Sequence, residues 1–390
     1  MAIRYAIATG NWSDPLIWNG GTLPTSADDV YANTFTVTID QDITVLSLQT
    51  GTTTGVTVGG LFTCSTSRTI TATAAVGIRA GSASSCLSIT GGTVNVNANI
   101  FGALTGVGYW GLVISGSAAV AVIGSANGQS NGGGIDISGS ASLSLRGPTI
   151  GGSGVAYSGI RSTTSGAINI TGAVTGGSGS GAGGLSHSTT ANVITITGTL
   201  TGAATGSGFA FNLTTGSIAS ITGAVLPGSS STGGINASDG TITIVGEIRA
   251  ATATPSVLHS GTTAGSYLII SGPLTCSSSS FYFPIYGRRI KIKQNQTNSW
   301  IEWRDDSSAN GAAVRWSSSD VVGGNPLASN VRLGTIFGKS NEFTGTLAVP
   351  PASSVAAGVP VDATVGTAAV KLTDIAAVTG AQIAAIVSRG

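Results

Sequence analysis

"GAINITGAVTG", residues 166–176, is followed by "NVITITGTLTG" at 192–202, then by "ASITGAVLPG" from Ala219, "ITIVGEIRA" from Ile242 and "LIISGPLTC" from Leu268. Each phrase sets two apolar residues two apart and then a small residue. Taking that small residue as an anchor gives Thr50, Ala74, Ala98, Gly124, Gly147, Gly172, Gly198, Gly223, Gly246 and Gly272. The spacings are 24, 24, 26, 23, 25, 26, 25, 23 and 26. Four and two residues before the anchors stand apolar pairs, from Leu46/Leu48, Ile70/Ala72 and Val94/Val96 to Ile168/Ile170 and Leu268/Ile270. Apolar residues with period two predict a strand with one face turned inward.

A second apolar point precedes most anchors by about half a unit: Leu61, Leu87, Leu112, Ile135, Ile160, Leu185, Phe211, Ile235 and Leu258. A third usually lies two residues after, as in Val76, Ile100, Val174, Leu200, Val225, Ile248 and Leu274. Each unit therefore holds three short strands separated by Gly/Ser turns, with no room for a helix. That excludes leucine-rich and helical solenoids, and a propeller blade needs about 40 residues. The fold this predicts is all-β: a single-chain parallel β-helix of about ten 25-residue coils stacked about 4.8 Å apart. The Gly of each phrase turns a corner where a Cβ would clash.

Composition narrows the function. Of 390 residues, 60 are Gly and only 8% are charged, against about 25% in ordinary soluble domains. Hydrophobic residues at 41% in a strict pattern can bury a core, so disorder is not expected. A net charge of +1 leaves no electrostatic footprint for nucleic acid. No apolar run reaches the roughly 18 residues of a membrane span, and the start "MAIRYAIATGNW" is too short and polar for a signal peptide. Cys64, Cys86 and Cys276 form neither a disulfide framework nor a zinc pattern, so reduced thiols and assembly in a cytoplasm are expected.

The ends differ from the middle. Residues 1–45 read as an N-terminal cap, with Trp12 and Trp18 around a Pro turn. Residues 46–276 are the β-helix. Residues 277–345 carry "FYFPIYGRRIKIKQNQTNSWIEWRDD" and read as a small β domain. Residues 346–390 read as an extended arm and a short helix with Thr373 as N-cap. The "WSDPLIW" start, the "GTLP" turn and the "DDV" strand resemble the opening segment of parallel β-helix proteins of phages and bacterial surfaces. "SSVAAGVPVDATVGTA", 353–368, is similar to the C-terminal region of tailed-phage virion proteins. The resemblance implies a phage structural protein, a spike, fibre or decoration at the virion surface assembled in the host cytoplasm. It further implies a homotrimer that contacts other capsid or tail proteins.

Chemistry-bearing residues are sparse. Glycosidic cleavage needs paired carboxylates about 5–10 Å apart. In the β-helix only Asp136, Asp239 and Glu247 are acidic, and the first two sit four coils apart. The densest cluster is "NSWIEWRDD" with Glu302, Arg304, Asp305 and Asp306 beside Trp300 and Trp303. If the chain were an enzyme, a tailspike depolymerase, Glu302, Asp305 and Asp306 would be the catalytic candidates. As a binding surface, Trp300, Trp303, Arg304 and Trp316 could hold a host-surface glycan. The alternative is that the tryptophans cap the rod and the charges form a solvated turn.

His187 and His259 occupy different places in their coils and read as surface turn residues. No metal, cofactor or phosphate loop is indicated. Outward residues of the phrase strand, Thr71/Thr73, Asn169/Thr171 and Thr195/Thr197 among them, form part of a Thr ladder of the kind that binds ice. Arg146 and the apolar Ile123, Val245 and Ile269 break it, and suit contact with another protein better. The expected function is structural and non-enzymatic, with the N-terminal segment as particle anchor and 277–345 as recognition surface. A bacterial adhesin is the third class and would need a signal peptide.

Overall fold

The computed structural model describes residues 2–250 except 156, 190–192, 215 and 229–232. Beyond 250 it describes residues 256–259, 268–270, 274–276, 285–287, 290–292, 300–303, 314–317, 336–337, 343–344, 360–361 and 364–365. The chain divides into two compact units, Met1–Val321 and Val322–Gly390.

The first unit is a parallel β-helix of about ten turns. Three sheets run along it, with 12, 14 and 11 strands, and each coil adds one strand to each sheet. The first sheet begins at Ala2–Tyr5, the second at Gly10–Asn11 and the third at Ile43–Val45. Pairing is parallel from coil to coil, and the inward residues stack in columns. In the third sheet Val96, Val122, Leu145, Ile170, Ile196, Ile221 and Ile244 are successive rungs, all almost fully buried. Each such side chain contributes about 1.5–3 kcal/mol by leaving water. Among the described residues the only helical element is the 3-10 turn Pro15–Ile17.

Four of the sequence expectations are shifted in register. In the first coil the third-sheet pair is Ile43 and Val45, which face Ile70 and Ala72. Leu48 belongs to the next strand, beside Ile78 in the first sheet, and Leu46 is only half-buried. One coil on, Val96 pairs with Ile70 and Val94 with Arg68, so Thr69 and Thr71 rather than Thr71 and Thr73 stand beside Asn95 and Asn97. Phe62 and Val257, not Leu61 and Leu258, fill the second-sheet column. Ile78, not Val76, stands beneath Ile100. The physical reason is shared. Two nearby residues are both apolar, and except at Leu61 and Phe62 the coil beside them departs from the average length of the repeat.

The corner after each phrase is a glycine column. Gly124, Gly147, Gly172, Gly198, Gly223 and Gly246 have φ between +148° and +154°. The amides of the first five continue the coil-to-coil ladder, as Gly172 N–H does by donating to Thr197 O at 2.9 Å.

The N-terminal end is closed by its own cap. Trp12 and Trp18 are fully buried and meet edge to face at 4.8 Å, and Trp12 leans on Phe62 of the second coil. The indole of Trp18 donates to Trp12 O. Asn19 covers the free edge of the first strand: its Oδ1 accepts from Tyr5 N–H at 2.7 Å and its backbone N–H donates to Tyr5 O.

Beyond Cys276 the repeat stops but parallel pairing continues. Ile285–Gly287 joins the second sheet and Ile290–Ile292 the third. Trp300–Trp303 follows Ile285–Gly287 in parallel and then pairs antiparallel with Val314–Ser317. Among its described residues the second unit holds two short antiparallel pairs, Ile336–Phe337 with Phe343–Thr344, and Pro360–Val361 with Thr364–Val365. The helix expected from Thr373 lies outside the described residues.

Candidate functional site

Of the residues singled out in "NSWIEWRDD", Trp300, Glu302 and Trp303 fall on one antiparallel pair. Trp300 faces Ser317, Ile301 faces Trp316, Glu302 faces Arg315 and Trp303 faces Val314. The backbone thus brings Trp300, Glu302, Trp303 and Trp316 into one two-stranded ribbon at the end of the second sheet. Arg304, Asp305 and Asp306 lie outside the described residues. Antiparallel pairing here follows from sequence: a turn-rich segment, "DDSSANG", separates two strands rich in Trp, Ile and Val.

The acids of the β-helix are occupied. Asp136 takes both Nε and Nη2 of Arg161, at 2.8 and 2.9 Å, from the next coil of the second sheet. The Arg161 guanidinium also lies over the Trp110 ring at 4.6 Å, and its pKa is raised, first by the hydrogen bond to Asp136. Glu247 pairs with Arg249 at 3.0 Å, and Asp239 Oδ1 accepts from Gly240 N–H. Among the described residues no group of three or more His, Cys, Asp or Glu is placed to hold a metal ion.

His187 is not a surface turn residue, and the two histidines do not occupy different places in their coils. His187 ends the strand Leu185–His187 and is almost fully buried. Successive rungs run Ser162, His187, Leu213, Ala237 and His259, so both histidines occupy register positions of one column of the second sheet. Ser162 Oγ lies 2.9 Å from His187 Nδ1, and Nε2 lies 2.7 Å from Thr189 O and 3.1 Å from Ser217 Oγ. Burial lowers the His187 pKa. Ser162 and Ser217 are also buried, so among the described residues the Ser–His contact stands inside the stack, away from solvent. The signal that could have found it was the apolar column itself: His187 occupies the slot that Leu213 fills one coil later.

Cys64 and Cys86 are buried and free. Burial pushes both thiols up, so neither is a ready thiolate.

The outer face of the third sheet has no charged rung from Asn169–Thr171 to Thr243–Val245, and Lys291 is the rung that follows Ile269 at its end. Asn169, Thr195, Ser220 and Thr243 form one row, and Thr171, Thr197, Thr222 and Val245 the next. Val193, Ile218 and Val245 are exposed there, and Ile123 stands in the earlier coils beside Arg146. The apolar Val193 and Ile218 escape the sequence reading, because each stands just before the inward pair and outside the repeated alternation.

Comparison with protein-family models, with curated proteins and with solved structures gives no match.

Proposed function

We propose that this chain is a non-enzymatic structural protein of a tailed-phage particle: a rigid β-helical spike, fibre or decoration at the virion surface. The observation that carries the proposal is the coil-on-coil parallel stacking of three sheets, from Ala2–Tyr5 at the start of the first to Ile290–Ile292 at the end of the third. Coils bonded to their neighbours along every strand resist bending and leave little loose chain for proteases, which suits a part that works outside a cell. The resemblance of the "WSDPLIW" and "SSVAAGVPVDATVGTA" stretches to phage proteins supports the same reading. Partners are two further copies of the chain, other capsid or tail proteins and a host-surface glycan.

The run of that face without a charged rung, from Asn169 to Val245, supports the homotrimer, since Thr171, Thr197, Val193 and Ile218 cost little to desolvate. The ribbon carrying Trp300, Trp303 and Trp316 supports recognition by the C-terminal part of the first unit. Gold-labelled antibody against the chain should decorate purified virions, and the isolated protein should scatter light with the mass of three chains. Virions left unlabelled, together with a single-chain mass, would end the proposal.

One observation favours a second reading, a tailspike depolymerase. Glu302 shares its strand with two tryptophans and faces a strand that carries a third. Release of oligosaccharide from host capsule or lipopolysaccharide, lost in Glu302→Gln, would establish this reading over the first.

A further inference from the structure

An asparagine followed by glycine carries a latent reaction. The glycine nitrogen can attack the asparagine Cγ, since no Cβ hinders its approach. Among the described residues such steps are Asn19–Gly20, Asn127–Gly128 and Asn131–Gly132, and Asn310–Gly311 lies outside them. Two of these are shut away from water. Asn127 and Gly128 are buried, and Gly128 N–H is committed to Ile150 O at 2.8 Å. Gly132 is buried so tightly that a Cβ built on it would fall on Tyr109 O. Gly20 is different. It is exposed, its φ is +81°, and its N–H has no acceptor among the described residues.

The contacts of Asn19 polarise both reacting groups. Asn19 Oδ1 accepts from Tyr5 N–H at 2.7 Å. A backbone donor thus already faces the oxygen that takes negative charge when Cγ is attacked. Asn19 O accepts from Arg4 Nη1 at 2.8 Å. A cation on that carbonyl draws charge out of the Asn19–Gly20 peptide and makes the Gly20 N–H proton easier to lose. Arg4 also lies against the glycine itself: a Cβ built on Gly20 would stand 2.7 Å from Nη1.

We infer that Asn19–Gly20 is a site of spontaneous modification, at which the folded N-terminal cap speeds conversion of Asn19 to aspartate and isoaspartate. Water or hydroxide takes the Gly20 amide proton, and the nitrogen forms a bond to Asn19 Cγ. The bond from Cγ to Nδ2 breaks, and Nδ2 leaves as ammonia. Water then opens the cyclic imide at either carbonyl, and no electrons are exchanged with another molecule. Both products lose the Nδ2 donor that faces Ile3 O at 3.4 Å, and isoaspartate also reroutes the main chain at the plug of the Ala2–Tyr5 edge. The edge is therefore opened with age. The site is separate from the Trp300–Trp303 ribbon, and it stands or falls apart from the proposed role in a particle.

The test ages the full chain in mildly alkaline buffer, folded and in urea, and maps it by peptide mass spectrometry with fragmentation that separates aspartate from isoaspartate. In the folded chain acid should accumulate at residue 19 and not at Asn127 or Asn131. The folded rate at residue 19 should exceed the rate in urea, where all three steps react alike. Arg4→Gln, checked for folding by circular dichroism, should slow the folded reaction about tenfold, the lower end for a hydrogen bond to a charged group, and Arg4→Lys should recover part of the rate. Four results would each overturn the inference: no acid at residue 19, a folded rate no higher than in urea, an Arg4→Gln rate equal to the parent's, or chain cleavage after Asn19 in place of deamidation.

Discussion

A Cβ built on Gly172 would fall on the carbonyl oxygen of Gly147, one coil earlier in the stack, far inside the roughly 3.5 Å of ordinary contact. The same holds for Gly147 over Gly124, Gly198 over Gly172, Gly223 over Gly198 and Gly246 over Gly223. The returning phrase of the sequence is this column: an inward pair of apolar residues, then a corner where one backbone lies on the next.

Gly172→Ala should therefore destabilise the first unit by about 2–4 kcal/mol, since both a positive φ and a backbone collision are imposed. Gly51 has open space around it and no such φ. Gly51→Ala should be neutral or stabilise by up to about 1 kcal/mol. Urea midpoints of the two variants and the parent measure the contrast.

Asn19 is the plug of the first sheet. With Asn19→Ala the Tyr5 N–H loses its acceptor and the free edge of Ala2–Tyr5 is exposed to other chains. A loss of about 1–2 kcal/mol is expected, together with concentration-dependent association in light scattering that the parent does not show. Unchanged stability and mass would mean that the remaining cap closes the edge unaided.

His187 makes stability depend on pH. Its folded pKa lies below the unfolded value of about 6.5, so the unfolded chain binds the extra proton. Its contribution is complete above pH ~6.5 and is lost as pH falls through the folded pKa. His187→Leu fits the column in which Leu213 is the next rung. This variant should flatten the loss of stability between about pH 7 and pH 5, read from denaturation midpoints. An identical pH slope in parent and variant would remove His187 as the cause.

The strands are legible where a coil keeps the average length. Ile168/Ile170 and Ile194/Ile196 stand in the expected inward places because the coil between them stays close to the period. The first coils are harder to read because Val45 and Ala72, though partners, stand further apart in the chain than the period. Leu46 also follows Val45 at once, so the apolar run continues to Leu48 and hides where one strand ends and the next begins. Leu61 against Phe62 cannot be decided by hydropathy, since both are apolar and only the register chooses. The buried histidine is hidden for a different reason. Its stabilisation comes from Ser162, Thr189 and Ser217, two of which reach it from neighbouring coils and leave no local spacing to read. Arg161 and Asp136, like Arg79 and Phe101, meet across adjacent coils, so only the stacked register brings them together.

The stacking itself is the central claim, and pulsed electron spin resonance tests it most directly. Asn95, Ala121, Ser144, Asn169, Thr195, Ser220 and Thr243 are successive outward rungs of the third sheet. Spin labels at Asn95 and Thr195 are four coils apart and should lie about 19 Å from each other; labels at Asn95 and Thr243, six coils apart, about 29 Å. Labelled chain is diluted with unlabelled chain so that only distances within one molecule are seen. Two narrow distributions whose means rise by about 4.8 Å per coil are the result expected. Broad distributions, or a Thr243 distance no longer than the Thr195 distance, would contradict the β-helix and everything built on it.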